Sequence, residues 1–320
     1  MDVPLSISNP PTQDQARKQA DGLRFKTLSD YKVAKEIGDG SFATVYLATE
    51  KSDRKREVAL KVCLKKHIIK HRKIEYVQRE KQVLALLSTA ENQHHAIVSL
   101  FATFQDAENL YFVLSYAQYG DLLRIMLNQE NEHFILDHSK YYSAVLLSAL
   151  EHIHRLGIIH RDVKPENILM KSDKRIILSD FGTAKMIDVE NKKKKEENEG
   201  RRRRNSFVGT AQYVLHGEDT TPASDFWSFG VVVYQFLTGK HVFHDESEYL
   251  IFKRVEGLLY KFPDDFDSAA RDLVEKLLVL EPSARLGTGE GAKSIRSHKF
   301  FDGISWETLA TIPPPDVKLH

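Results

Sequence analysis

The sequence predicts an α+β fold of two lobes, a small β-rich lobe followed by a larger, mainly helical one. Five apolar runs with strand-like patterning and one helical segment, at about 75–89, lie between Tyr31 and about residue 117. After Gly120 the apolar residues recur at helical spacing instead. We therefore expect a small five-stranded antiparallel sheet with one helix, a hinge near 115–118, and a helical lobe beyond it.

The individual elements follow from local patterns along the chain. The predicted strands are YKVAKEI, ATVYLA, EVALKV, IVSLFATF and LYFVLSYA, which Gly-rich or charged turns separate. The first long helix, SKYYSAVLLSALEHIHRLG, ends at Gly157, a residue type suited to a helix C-terminus. A second helix, at 225–239, is apolar on every side and is predicted to be buried. Two shorter helices fit 267–280 and 292–297.

These patterns divide the chain into four segments. We expect a disordered polar arm at 1–30, the small lobe at 31–116, the large lobe at 117–306 and a tail at 307–320. The tail is too short for a lipid-binding domain, and no signal peptide or apolar span of about 20 residues is evident. We therefore expect a cytoplasmic protein that does not bind membranes directly.

Composition excludes several classes of protein. The 46 Lys and Arg residues balance the 45 Asp and Glu residues, so the formal net charge of +1 gives no field that favours nucleic acid. Cys63 is the single cysteine, which excludes an intramolecular disulfide framework and a cysteine-rich zinc site. One biased stretch, the basic run at 192–204, is typical of a solvated loop, and the alternative is a nuclear-import signal or a contact for acidic partners.

A glycine-rich hairpin is the first candidate site. Gly38 and Gly40 begin GDGSFATV, and Ser41 and Phe42 follow at the tip, before Val45 on the next strand. Glycine puts no side chain in the way, so backbone N–H groups can approach phosphate oxygens there. An ordinary hairpin turn is the alternative. A dinucleotide-binding loop is disfavoured because a strand, and not a helix, comes next.

A lysine and a glutamate form the second candidate. Ala59 and Lys61 share one face of the third predicted strand, which leaves room for a flat base beside an ammonium group. Glu80 lies on the same helical stripe as apolar residues, and a carboxylate among core residues requires a cation. Lys61 is the predicted partner of Glu80.

The densest signal is HRDVKPEN at 160–167, followed by DFG at 180–182. In this pattern Asp162 can accept a hydrogen bond from an attacking hydroxyl group, and Lys164 can stabilise charge on a phosphate. Asn167 and Asp180 supply oxygen ligands of the kind that Mg²⁺ prefers. Enzymes that transfer a phosphoryl group from ATP typically combine such motifs with a glycine-rich hairpin, a lysine and a glutamate. In this sequence the hairpin, Lys61 and Glu80 come before the two motifs, in the order that this chemistry predicts.

With these motifs the chain resembles a eukaryotic protein kinase of the AGC group over about 31–306. The resemblance extends to the 3-phosphoinositide-dependent protein kinases within that group, through KKHIIKHRKIEYVQRE, GIIHRDVKPENIL, DFGTAK, NSFVGTAQYV and ARDLVEKLLVL. It implies the bilobal protein-kinase fold, in which the small-lobe helix is αC. It also implies a Ser/Thr kinase that uses ATP and Mg²⁺ to phosphorylate the activation loops of other AGC kinases in signal transduction.

The resemblance assigns the nucleotide site residue by residue. Asp121 stands where the family has an acidic residue near the ribose, and the backbone at Ser115 and Ala117 lies along the adenine. The remaining residues implied to bind ATP are Ile37, Gly38, Gly40, Ser41, Phe42, Val45, Ala59, Lys61, Leu114, Glu166 and Leu169.

The resemblance also implies a phosphosite at Ser206, modified by a second copy of the enzyme through transient self-association. Phosphorylation adds close to two negative charges, which Arg161, Lys185 and Arg79 would neutralise, with Tyr76 nearby. An unmodified loop serine is the alternative.

A docking pocket for a phosphorylated hydrophobic motif of substrate kinases is the last implied site. Its residues are Lys65, Ile68, Ile69, Val77, Thr103, Gln105 and Leu110. The alternative is that the apolar members belong to the core. Two consecutive isoleucines cannot both point inward from one helix, which favours an apolar surface groove.

The sequence departs from the family pattern after Val214. The family's Ser-Pro-Glu is missing there, and its glutamate normally pairs with a buried arginine that Arg285 matches. An unpaired buried arginine would cost about 3–5 kcal/mol, and Glu218 or Asp219 are the substitutes at hand. A pseudokinase or scaffold is therefore the second hypothesis, although intact catalytic residues argue against it. A small-molecule phosphotransferase is disfavoured by the NSFVGTAQYV segment, and a tyrosine kinase by Lys164.

Overall fold

The computed structural model of the protein describes residues 26–40, 43–53, 56–187 and 220–319. Several predictions fall outside this part of the chain: Ser41, Phe42, the phosphosite Ser206, the basic run at 192–204 and the segment at 215–219. The chain divides into two compact units, residues 1–74 with 100–116, and residues 75–99 with 117–320.

The first unit is built on a five-stranded antiparallel sheet. Its strands are β1 (Tyr31–Asp39), β2 (Ala43–Glu50), β3 (Glu57–Leu64), β4 (Leu100–Gln105) and β5 (Asn109–Ser115), in the order β1-β2-β3-β5-β4. A short helix, α1 (Lys65–Lys70), follows β3. One face of the sheet is an apolar core centred on Val58, Leu60 and Val113, and alternation along β3 turns Ala59 and Lys61 to the other face.

The second unit is mainly helical. Its helices are α2 (Ile74–Leu87), α3 (Leu122–Leu127), α4 (Leu136–Arg155), α5 (Pro222–Thr238), α6 (Glu248–Glu256), α7 (Ser268–Leu277) and α8 (Ala292–Arg296). Its short strands are β6 (Gly120–Asp121), β7 (Ile158–Ile159), β8 (Ile168–Met170), β9 (Ile176–Leu178) and β10 (Lys185–Met186). Strands β10 and β7 form a two-stranded sheet, and strands β6, β8 and β9 form a three-stranded sheet in that order.

Helix α5 is the buried helix that the apolar run predicts, and its ends follow from local sequence. It begins at Pro222, because Thr221 and Ser224 form a capping box and proline fits the first helical position. It ends before Gly239, whose φ of 69° is left-handed. Gly230 in its middle permits close packing, since an added Cβ would lie 2.8 Å from Cβ of Leu277 on α7.

The predicted α+β class is confirmed, with differences in detail. The fourth strand begins at Leu100 and not at Ile97, because Ile97 instead bridges Leu178 in parallel and belongs to the second unit. Helices α3 and α6 are too short to show a clear period in the sequence. Among the described residues, no helix has both the length and the apolar character needed to cross a membrane.

Candidate active site

In the first unit, four residues predicted to surround ATP lie on one face of the sheet. Val45 on β2 lies opposite Lys61 on β3, and Ala59 lies opposite Leu114 on β5. Directly opposed residues of antiparallel strands share a face, as do residues two apart on one strand. All four therefore face the same way, away from the apolar core of this unit.

The hairpin between β1 and β2 is closed by a backbone hydrogen bond. The N–H of Gly40 donates to the carbonyl of Ala43 over 2.9 Å, and an added Cβ at Gly40 would lie 3.4 Å from that oxygen. The hydroxyl of Thr44 donates to Asp39 over 3.2 Å across the same turn. Gly38 faces Val45, and Ile37 beside it is exposed. Ser115 is the last residue of β5, and Ala117 is the first residue of the second segment, 117–320, of the second unit.

In the second unit, the loop at 160–167 is fixed by a buried carboxylate, Asp225 on α5. Its Oδ2 accepts from the N–H of His160 over 2.9 Å and lies 2.7 Å from Nε2 of His154, while Oδ1 accepts from the N–H of Arg161 over 2.8 Å. Burial alone would raise the pKa of Asp225, but these partners hold it below its ordinary value. Arg161 has a φ of 69°, a strained conformation that this anchoring stabilises.

Asp162, the predicted catalytic carboxylate, is 7% exposed and held by two neighbours. Nζ of Lys164 lies 3.0 Å from its Oδ2. Nδ2 of Asn167 donates to the same oxygen over 2.9 Å and to the Asp162 carbonyl over 2.8 Å. These contacts fix the plane of the carboxylate and put a positive charge beside it.

Asn167 and Asp180, the predicted metal ligands, are brought together by the pairing of β8 with β9. The carbonyl of Asn167 accepts from the N–H and the hydroxyl of Ser179, over 2.8 and 2.9 Å. The next residue, Asp180, has a left-handed φ of 59° and accepts from the N–H of Gly182 over 3.3 Å. Because Nδ2 of Asn167 donates to Asp162, its amide oxygen is the atom oriented to act as a ligand.

This donor set fits Mg²⁺. In the described part of the chain no group of three or more His, Cys, Asp or Glu residues forms a metal site. Mg²⁺ is bound through one or two protein oxygens and completes its shell with water and phosphate. Asn167 and Asp180 would therefore hold the ion together with the phosphates of ATP.

Glu80 lies near the same turn. An added Cβ at Gly182 would lie 3.2 Å from Oδ1 of Asp180 and 3.8 Å from Oε2 of Glu80, which is buried on α2. The lack of a side chain at Gly182 thus permits both carboxylates to approach this turn. Lys61 belongs to the first unit, so its pairing with Glu80 stays a prediction.

Asp121 and Leu169, both assigned to the nucleotide site, are opposed residues of β6 and β8. The carboxylate of Asp121 also caps α3 by accepting from the N–H of Arg124 over 2.9 Å. Glu166 lies in the same region, and its Oε2 is buried without a hydrogen-bond partner among the described residues. Burial raises the pKa of Glu166, and the charges of Asp162 and Asp121 add to that rise.

Two of the cations predicted to bind a phosphorylated Ser206 interact electrostatically. Burial, followed by the charge of Arg79, lowers the pKa of Arg161, while Tyr76 and Asp225 raise it. Because the two guanidinium groups repel each other, an anion beside them would stabilise both.

Lys185, the third predicted cation, lies on β10 opposite Ile159, the residue directly before His160. Arg161 is tied to the same region, because its Nε donates to the carbonyl of Thr183 over 2.6 Å. The described members of the predicted phosphosite therefore belong to one part of the second unit.

The predicted docking pocket has two isoleucines with different surroundings. On α1, Ile68 is 3% exposed and Ile69 is 59% exposed. Nζ of Lys65, at the start of the same helix, donates to the carbonyl of Asp106 over 2.6 Å. Gln105 and Leu110, which flank that turn, lie opposite each other on β4 and β5.

Two further docking residues complete this set. Thr103 lies opposite Phe112 in the sheet of the first unit. Val77 is half-buried on α2, in the second unit, so its place in the pocket stays a prediction.

Arg285, whose usual glutamate partner is missing from the sequence, is 2% exposed and has backbone partners. Its Nε and Nη2 donate to the carbonyl of Val279 over 3.1 and 2.8 Å, and Nη1 donates to the carbonyl of Ala223 over 2.7 Å. The guanidinium group also lies 5.2 Å from the ring centroid of Trp227. The sequence could not show this, because any residue type can offer a carbonyl.

We expect Arg285→Met to lower the free energy of unfolding by about 3 kcal/mol, because the carbonyls of Val279 and Ala223 would lose the hydrogen bonds that Arg285 donates. Urea denaturation measures this difference. Arg271→Met is the matched control, since Arg271 is exposed on α7 and lies over Phe262 at 4.7 Å. Arg271→Met should lower the free energy of unfolding by less than about 1 kcal/mol. A change below about 0.5 kcal/mol for Arg285→Met would contradict the structural role.

Sequence reasoning gave no role to Asp225 or His154. The available signal was the single carboxylate in the otherwise apolar segment at 225–239, since a buried acid must have donors around it.

Residues 31–301 match the protein kinase domain. The chain is 44% identical over 303 residues to human putative 3-phosphoinositide-dependent protein kinase 2, which covers 93% of this chain and 72% of the relative. It is 44% identical over 303 residues to human 3-phosphoinositide-dependent protein kinase 1, with 93% and 52% covered.

A fungal relative shows a similar level of identity. The serine/threonine-protein kinase ksg1 of Schizosaccharomyces pombe is 42% identical over 305 residues, covering 92% of this chain and 49% of the relative. The chain thus spans about half the length of two of these three relatives.

Proposed function

The chain belongs to the protein kinase family, and we propose that it transfers the γ-phosphate of Mg·ATP to Ser or Thr residues in the activation loops of AGC-type kinases. The single observation that carries the proposal is the arrangement around Asp162. Lys164 and Asn167 hold this carboxylate, and Asp225 fixes the loop that bears it. Relatives named serine/threonine-protein kinases support the acceptor type.

The residues of this chain have distinct roles in the proposed reaction. Asp162 accepts the proton of the substrate hydroxyl and aligns the oxygen, which bonds to the γ-phosphorus as the bond to ADP breaks. Lys164 stabilises the charge on the transferred group. Asn167 and Asp180 would hold Mg²⁺, and Lys61, whose pairing with Glu80 stays a prediction, would bind the phosphates. When bound, ATP would supply the phosphoryl group, and Mg²⁺ would neutralise negative charge on the phosphates.

The activation-loop substrate class rests on the relatives and on the docking residues. Two relatives carry 3-phosphoinositide-dependent protein kinase in their names. The exposed side chain of Ile69 and the ammonium of Lys65 suit an apolar segment that carries a phosphate.

Autophosphorylation at Ser206 is a further part of the proposal. The repulsion between Arg79 and Arg161 supports it, because a phosphate would relieve that repulsion. Transfer between two copies of the chain requires only transient self-association.

The test of the substrate class uses the purified chain, Mg·ATP and an AGC kinase domain with an unphosphorylated activation loop. We expect phosphate in that acceptor, and none in the same acceptor with its activation-loop Ser or Thr replaced by Ala. Equal labelling of both acceptors would contradict an activation-loop specificity.

A pseudokinase or scaffold is the second candidate, and the missing Ser-Pro-Glu segment is the observation that favours it. Such a protein would bind nucleotide and dock kinases without phosphate transfer. The carbonyl groups of Val279 and Ala223 weigh against it, because they accept hydrogen bonds from Arg285 and so stabilise this buried cation.

The docking proposal predicts different results for the two adjacent isoleucines. We expect Ile69→Ala to change the free energy of unfolding by less than about 0.5 kcal/mol, yet to weaken binding of a phosphorylated hydrophobic-motif peptide about tenfold. Ile68→Ala should instead cost about 2–5 kcal/mol of stability, because that side chain is buried. Denaturation and peptide titration measure the two effects. If Ile69→Ala bound the peptide with unchanged affinity, the groove would not be the docking site of that peptide.

A further inference from the structure

The segment between α2 and β4, residues 88–99, contacts helix α4 through a pair of histidines, and a third histidine lies beside them. The rings of His94 and His152 stack with centroids 5.0 Å apart, and the rings of His94 and His95 lie 4.4 Å apart. We call His94, His95 and His152 the histidine cluster. All three belong to the second unit and lie outside the candidate active site.

The hydrogen bonds of His152 require a neutral ring. Its Nε2 lies 2.8 Å from the carbonyl of Asn92, an atom that can only accept. Its Nδ1 lies 3.0 Å from Nη2 of Arg155, and a guanidinium group can only donate. Nε2 therefore carries the proton and Nδ1 does not. A second proton on Nδ1 would break the contact with Arg155 and create two adjacent positive charges.

The same argument applies to His94. Its Nδ1 accepts from the N–H of Ala96 over 3.3 Å, and its Nε2 shares a hydrogen bond with the hydroxyl of Ser148 on α4 over 3.1 Å. A proton on Nδ1 would remove the acceptor of the Ala96 N–H. Protonation of His94 therefore breaks a contact within residues 88–99 and puts a charge against the ring of His152.

The charged groups around the cluster oppose protonation as well. Arg155 on α4 acts on His94 and His152, while Lys171 after β8 and Arg175 before β9 act on His95. All are cations, and the carboxylate of Asp173 lies 3.6 Å from both Lys171 and Arg175.

Burial and these cations lower the pKa of all three rings. Burial, followed by the charges of His95, His152 and Arg155, lowers the pKa of His94 to about 3. Burial also lowers the pKa of His95 and of His152. In addition, Nε2 of His95 is buried with no hydrogen-bond partner among the described residues. A proton there would gain no acceptor.

We propose that the histidine cluster is a pH-sensitive contact, which holds residues 88–99 on α4 while its rings are neutral and releases them when the rings are protonated. The segment directly follows α2, the helix that carries Glu80, so its release would loosen the attachment of that helix. The proposal goes beyond kinase activity and does not depend on it.

The direction of the pH effect follows from proton linkage. The open state has ordinary histidines with pKa values near 6.5 and binds more protons than the closed state. The contact is therefore fully stable above about pH 7.5 and weakens as the pH falls through about 6.5. With a closed-state pKa of about 3, His94 alone should raise the opening equilibrium about tenfold between pH 7.5 and 5.5.

An NMR titration of the histidine ring protons in the unmodified chain tests the proposal directly. His94, whose pKa burial lowers to about 3, should stay neutral in the folded protein at pH 5.5, and the folded-state pKa of His152 should lie below the ordinary histidine value of about 6.5. A folded-state pKa near or above 6.5 for either clustered ring would overturn the proposal. This measurement needs no variant and no kinase activity.

Hydrogen exchange in the full chain measures the release itself. After correction for intrinsic exchange rates, protection of residues 88–99 should fall at least about tenfold from pH 7.5 to 5.5. Strands β3 and β5, which contain no histidine, should keep their protection. In the double variant His94→Asn/His152→Gln, protection of residues 88–99 should fall only about threefold or less over the same pH range. In the control His67→Gln, the fall in protection should be as large as in the unmodified chain. Constant protection in the unmodified chain would overturn the proposal.

Discussion

Replacing Asp162 by asparagine is expected to lower the rate of phosphate transfer by about 10²- to 10⁴-fold, the usual contribution of a positioned proton acceptor. The change removes the carboxylate charge but keeps the shape, so Asn167 and Lys164 stay in place around it. Nucleotide affinity should change little, because Asp162 does not hold ATP in the proposed roles. Initial rates and nucleotide titrations on the same preparation measure both effects.

The matched control is Asp264→Asn, since Asp264 is exposed and lies before α7. We expect the control to keep the full rate and the unmodified stability. Should Asp162→Asn retain more than about a tenth of the rate, Asp162 would not be the proton acceptor.

Asp225→Ala is expected to have the largest effect on stability, a loss of about 3–5 kcal/mol in the free energy of unfolding. In the unmodified chain the N–H groups of His160 and Arg161 and the ring of His154 all contact the carboxylate of Asp225. The substitution leaves these groups buried without an acceptor. Urea denaturation at pH 7 measures the loss, and a cost below about 1 kcal/mol would contradict the anchoring role.

The stabilisation by Asp225 should also depend on pH. Because the folded-state pKa of this carboxyl lies below its ordinary value, its contribution is present above about pH 4 and is lost as the pH falls through the folded-state pKa. The difference in stability between the unmodified chain and Asp225→Ala should therefore narrow in acid. The transfer rate of Asp225→Ala should fall as well, since the loop bearing Asp162 loses its anchor.

Much of the fold was predictable because the pattern of apolar residues carries it. Alternation in EVALKV places Ala59 and Lys61 opposite the core, as the register of β3 with β2 and β5 shows. The same reasoning erred at Ile97, where apolar character alone does not tell a sheet strand from a bridge to Leu178. Helices α3 and α6 are too short for the helical period of their apolar residues to appear in the sequence.

The site was predictable where a motif fixes both residue type and spacing, as around Asp162. It was not predictable where backbone groups or distant residues act. The carbonyl partners of Arg285 have no sequence signature, and Asp225 is 65 residues from His160, whose N–H it binds. The histidine cluster likewise joins His94 to His152 across the chain, and only the packing of α4 reveals it.

One measurement tests the central claim, that this chain is a working Ser/Thr kinase despite the missing Ser-Pro-Glu segment. The purified chain is incubated with Mg·ATP and an unphosphorylated AGC kinase domain, and phosphate is located in the acceptor by mass spectrometry while nucleotide binding is measured in parallel. We predict phosphate on an activation-loop Ser or Thr, in an amount that falls with Asp162→Asn. Nucleotide binding without any phosphate transfer above Asp162→Asn would contradict the account and favour the pseudokinase.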